Sequence, residues 1–91
     1  MEDFLLKIGK DTNHIRAAKS IETQILRGNR VFIDVIGTAA NYIATKSFIQ
    51  TQSALSNVGI SVAFSPSYAD LKTSDGEVKT AVRWKVIFLS K

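Results

Sequence analysis

The sequence predicts an α+β domain two layers deep, with the element order β-α-β-α-β-β. A four-stranded mixed sheet carries two helices on one face. Three observations lead there. Apolar residues recur at helical spacing in two separate stretches, one before Gly28 and one after Gly37. Residues 78–89 alternate with period two along their whole length. A strand, a helix and a second strand open the chain, so the first two strands are joined by a crossover and run parallel, with a right-handed connection.

Residues 4–8, FLLKI, read as a short strand with Phe4, Leu6 and Ile8 on one side. Asp11, Thr12 and Asn13 each suit a helix N-cap. Ile15, Ala18, Ile21 and Ile25 then form the apolar stripe of an amphipathic helix, with Arg16, Lys19 and Glu22 between them. Gly28-Asn29 ends it. Residues 30–36 are β-branched and apolar on both sides, as in a central strand. Asp34 interrupts them, and is expected to face solvent or to pair with a neighbouring lysine.

The second helix starts near Thr38 or Ala39 and runs to Ser56 or Asn57. Ala40, Ala44, Ser47, Thr51 and Leu55 form one stripe, mostly of small side chains that let a helix lie close to a sheet. Tyr42 and Ile49 point nearly opposite, which makes them the expected anchors of a dimer interface. Residues 60–68 form a strand whose Pro66 favours a sheet edge. Residues 72–77 carry a turn around Ser74-Asp75-Gly76. In the last strand Val78, Thr80, Val82, Trp84, Val86 and Phe88 face one way; Lys79, Ala81, Arg83 and Lys85 face the other.

The 91 residues make a single domain spanning 1–91, since nothing in the chain reads as a linker. A chain of this length buries roughly 60–65% of its extended surface, enough for a core without metal or disulfide help. Cysteine is absent, which excludes a disulfide framework, a thiolate metal site and a cysteine nucleophile. His14 is the one histidine, so no multi-histidine metal site is expected either. No apolar run reaches the ~18 residues of a membrane helix, and MEDFLL lacks a basic leader, so the expected location is intracellular. No nucleophile or acid–base pair stands at a diagnostic spacing. The expectation is a protein without enzymatic activity, cofactor, membrane partner or small-molecule substrate.

Twelve lysines and arginines against eight acids give a net charge of +4. That excess permits a polyanionic partner. Lys79, Arg83 and Lys85 lie on one side of the last strand with no acid between them, and Lys72 sits at the hairpin. A basic strand of this kind can track a phosphate backbone. Lys10, at a strand end that opens into a helix, offers a second cation beside free backbone amides. Plain helix capping, by Asp11 above all, is the alternative there.

The run from Pro66 through Tyr68 and Asp70-Leu71, followed by Asp75-Gly76-Glu77-Val78-Lys79-Thr80-Ala81-Val82-Arg83, resembles the C-terminal half of the stage V sporulation protein S family. Ile36-Gly37 with Ala40, Ala44 and Lys46 resembles that family's second-strand-to-helix segment, and Gly9-Lys10 with the first helix fits as well. The resemblance implies an Alba-like fold. Alba proteins bind DNA and RNA as dimers through the loop after the first strand, the start of the second helix and the final hairpin. By position, Lys10 matches the first lysine of the Alba I-G-K-K loop. Asp11 stands in place of the second lysine, and Thr38 in place of an arginine. The hairpin retains Lys72 and Lys79.

The resemblance thus implies a dimeric, cytoplasmic regulator that binds DNA or RNA, nucleoid-associated if the target is DNA. Its contacts would come from Lys10, Lys72 and Lys79, to which the basic side of the last strand adds Arg83 and Lys85. The competing expectation, favoured by Asp11 and Thr38, is a protein-interaction module of a developmental pathway that has lost nucleic-acid binding.

Overall fold

The computed structural model describes residues 2–90. It contains strand β1 (Asp3–Ile8), helix α1 (His14–Leu26), strand β2 (Arg30–Val35), helix α2 (Thr38–Ser56), strand β3 (Ser61–Lys72) and strand β4 (Val78–Ser90). The expected element order is the observed one. The sheet runs β1-β2-β4-β3, with β1 and β2 parallel and the other pairs antiparallel. The mixed sheet and the interior position of the last strand follow the sequence pattern.

Asn13 is the N-cap of α1; its Oδ1 accepts from the backbone N–H groups of Ile15 and Arg16 at 3.0 and 3.1 Å. At the far end Gly28 adopts φ 81°, a region that L side chains avoid. Its N–H donates to the Ile25 carbonyl and that of Asn29 to the Gln24 carbonyl, which closes the helix in a Schellman turn. The buried stripe of α1 is Ala17, Ala18, Ile21 and Ile25. Ile15, expected in that stripe, is 56% exposed. At ~3.6 residues per turn Ala17, Ala18, Ile21 and Ile25 cluster on one side of the helix and Ile15 lies outside that cluster, so Ala17 completes the buried stripe.

All five residues of the expected α2 stripe are buried, with Phe48 beside them. Their small size brings the helix backbones close together. Thr51 Oγ1 donates to the Ser47 carbonyl within α2 at 2.9 Å and stands 3.4 Å from the Ala18 carbonyl of α1. Phe48 stacks on Phe64 of β3, ring centroids 4.1 Å apart, and meets Trp84 of β4 edge-on at 5.2 Å. Trp84 is partly buried against the core, as its alternation with Val82 and Val86 predicts. The core is completed by Ile8 from β1 and by Val31, Ile33 and Val35 from β2, so both helices cover the same sheet face.

β3 is an edge strand and carries Pro66, as expected. The Gln52 side chain donates to the Val62 carbonyl at 3.1 Å, so the backbone of Val62 points away from β4. Residues two apart share that direction, and the missing N–H of Pro66 falls on the outer side where no ladder bond is lost. The strand is longer than its apolar alternation suggested. It continues through Asp70 and Lys72, paired with Thr80 and Val78.

Candidate nucleic-acid interface

Ile8, Val35, Val82 and Tyr68 form one row across the sheet. Past this row, at the same end, lie the loop with Lys10, the start of α2, and the β3–β4 hairpin. Tyr68 stands in this row on the edge strand β3 and Val78 lies past it on the hairpin, and they are 84% and 65% exposed although they belong to the helix-side alternation.

The anion-binding potential of the two helix starts differs. The amides of α1 are taken by Asn13, not by Asp11. α2 starts at Gly37, whose φ of 93° turns the chain and which has no side chain to cap with. No acid stands in its first turn. The 19-residue α2 therefore presents uncapped N–H groups and the positive end of its dipole at the sheet end. The absence of Ser, Asp or Asn at position 37 was the sequence signal for this.

Lys10, Lys72 and Lys79 lie past the row, and all three are exposed. Lys72 pairs with Val78 and Lys79 with Leu71, so the two lysines emerge on opposite faces of the hairpin. Arg83 and Lys85 lie within the sheet itself, on the face away from the helices, together with Lys79. The structure therefore divides the five residues into a hairpin-end group and a sheet-face group.

Arg83 is engaged. Its Nε and Nη2 donate to the two carboxylate oxygens of Asp34 at 2.7 and 2.8 Å. Asp34, expected in solvent or beside a lysine, is instead 2% exposed and bound to an arginine. The cause is the sheet order: β4 lies directly beside β2, and the register sets Arg83 opposite Asp34. The Asp34 hydrogen bonds raise the pKa of Arg83 further, so its charge is permanent. An acid thus does lie among the cations of β4, supplied by another strand.

The hairpin turn has its own polar lock. Thr73 Oγ1 and the Glu77 N–H both donate to Asp75 Oδ1. These two bonds, the Thr73 hydroxyl foremost, hold the Asp75 carboxyl below the usual aspartate range. Tyr42 and Ile49 are 66% and 58% exposed on the outer side of α2, and the Lys46 ammonium stands 5.2 Å from the Tyr42 ring centre. Among the described residues no cluster of three or more potential metal ligands occurs. No helix there is long and apolar enough to cross a membrane.

The family model for stage V sporulation protein S matches residues 4–88, nearly the whole chain. The chain belongs to the stage V sporulation protein S family. Membership makes it a sporulation-related protein, and the matched span takes in both groups of cations and the open start of α2. A search of curated proteins gave no match.

Proposed function

We propose that this member of the stage V sporulation protein S family is a non-enzymatic regulator that binds nucleic acid through phosphate contacts. It would act as a dimer in the cytoplasm, on the nucleoid if its target is DNA. The observation that carries the reading is the uncapped start of α2, at the same sheet end as Lys10 and the projecting hairpin with Lys72 and Lys79. Backbone amides at a helix start and lysines on mobile stems suit phosphate oxygens and carry no base readout. The outer stripe of α2, with Tyr42 and Ile49, is the proposed dimer contact.

A salt titration of binding to duplex DNA, single-stranded DNA and RNA tests this. Affinity should fall with a slope of about −0.9 per phosphate neutralised on duplex. Absence of binding to all three at low salt, where charge attraction is strongest, would remove the reading.

One observation favours a second reading, a protein-interaction module. Past the Ile8–Tyr68 row, Lys10, Lys72 and Lys79 share the surface with four acids, Asp11, Asp70, Asp75 and Glu77. A surface of mixed sign suits a protein partner, and retention of a defined protein with no nucleic-acid binding would decide for it.

A further inference from the structure

The sheet face away from the helices has a composition of its own. One row across it reads Leu5, Phe32, Lys85 and Ser65; the next reads Lys7, Asp34, Arg83 and Ser67. Both helices pack on the opposite face; on this one Leu5, Lys7 and Lys85 are exposed and Phe32 is half-buried. Asp34 and Arg83 neutralise each other, as do Asp3 and Arg30 at 2.6 Å. Lys7 and Lys85 remain without a carboxylate partner among the described residues, one on either neighbouring strand of Phe32. On β3 the side chains on this face are short, Ala63, Ser65, Ser67 and Ala69, which leaves a shallow step beside Phe32 and Lys85.

An aromatic ring set between lysines on an open sheet is the chemistry that holds unpaired bases. The ring stacks on a base, and the ammonium groups take the adjacent phosphates. A duplex does not fit it, because its base faces are already stacked inside. A second copy stacked face to face would bring the unpaired lysines of both chains into one interface, while the acids of this face, Asp3 and Asp34, are already taken by Arg30 and Arg83. We propose that this face binds single-stranded nucleic acid, with a base on Phe32 and flanking phosphates on Lys7 and Lys85. The inference rests on the reading of the chain as a nucleic-acid binder, and adds a contact surface apart from the hairpin end.

The test is fluorescence anisotropy with labelled oligo(dT) and oligo(U) of ~12 nucleotides and with a duplex of equal length. It compares the wild-type chain with Phe32→Leu, Lys85→Gln and Lys10→Ala. Circular dichroism melting establishes that each variant is folded, and the exposed Lys85 gives a readout should Phe32→Leu fail to fold. Phe32→Leu should weaken oligomer binding by about tenfold or more and leave its salt slope and the duplex affinity unchanged. Lys85→Gln should lower the single-strand slope by about 0.7. Binding of either oligomer in this pattern supports the proposal, and a preference for oligo(U) assigns the face to RNA.

Single-strand binding that Lys10→Ala weakens and the two sheet-face variants do not would overturn the proposal while the hairpin-end reading stands. So would binding of duplex alone. Binding of nothing removes both. A wild-type dimer that Phe32→Leu or Lys85→Gln converts to monomer would show that a second copy covers the face, and the proposal would fall.

Discussion

Arg83 and Asp34 are 49 residues apart in the chain and lie side by side on the helix-free sheet face, joined by two parallel hydrogen bonds. The Asp34 side chain is 1% exposed and that of Arg83 37%. The pair ties β2 to β4 at the centre of the sheet, and its two ends differ in what they lose if parted.

Arg83→Met should therefore cost more than Asp34→Ala. The methionine stem keeps the carboxylate covered but leaves it without a partner, a loss of about 3–5 kcal/mol. The second leaves a guanidinium that can reach water, with a cost of about 1–3 kcal/mol. Urea denaturation of both variants checks the order, and equal losses would contradict the burial asymmetry.

Lys10→Ala should weaken nucleic-acid binding about equally for all sequences and lower the duplex salt slope by roughly one unit. Asp11→Lys should tighten binding, because a repelling charge beside Lys10 is replaced by an attracting one. Salt-titrated binding isotherms on two unrelated duplexes measure both effects.

Asp75 should titrate below the ordinary aspartate value, observable as its carboxyl carbon shift in NMR. A carboxyl depressed in the folded state stabilises it above the unfolded pKa, and the contribution disappears as pH falls through the folded pKa. Acidification below ~4 should thus loosen the turn from Thr73 to Glu77 ahead of the core. Asp75→Asn should abolish that pH dependence of amide exchange at Gly76 and Glu77.

Ala44→Leu should destabilise the domain by about 1–3 kcal/mol, because Ala44 is 1% exposed in the tightly packed stripe of α2. Thermal melting reads this directly. An unchanged melting temperature would mean that α2 stands further from the sheet than the structure has it.

Tyr42→Glu with Ile49→Lys should leave the fold intact and shift sedimentation toward the monomer. Both side chains are exposed, so their replacement removes nothing from the core. A dimer that survives both changes would place the contact elsewhere.

Much of the candidate site was legible in the chain. The exposed lysines at positions 10, 72 and 79 follow from loop and hairpin positions, and the outward Tyr42 and Ile49 from helical spacing. Lys7 and Phe32 carry no such signal, because a lysine in a short strand and a phenylalanine in an apolar one look ordinary until the neighbouring strands are known. The capping of α1 by Asn13 was one of three local possibilities, and only the backbone path chose among them.

The sequence by itself determined the element order, the α2 stripe and the Ala18-Ile21-Ile25 part of the α1 stripe, the edge position of Pro66 and the alternation of β4. Each of these rests on local periodicity or on the covalent form of one residue, which no distant contact is needed to reveal. The tertiary structure decided that β4 lies against β2, that Asp34 is buried under Arg83, and that Lys72 and Lys79 leave the hairpin on opposite faces. Those outcomes depend on strand order and register, which bring together residues far apart in the chain and so leave no periodic trace within any one segment.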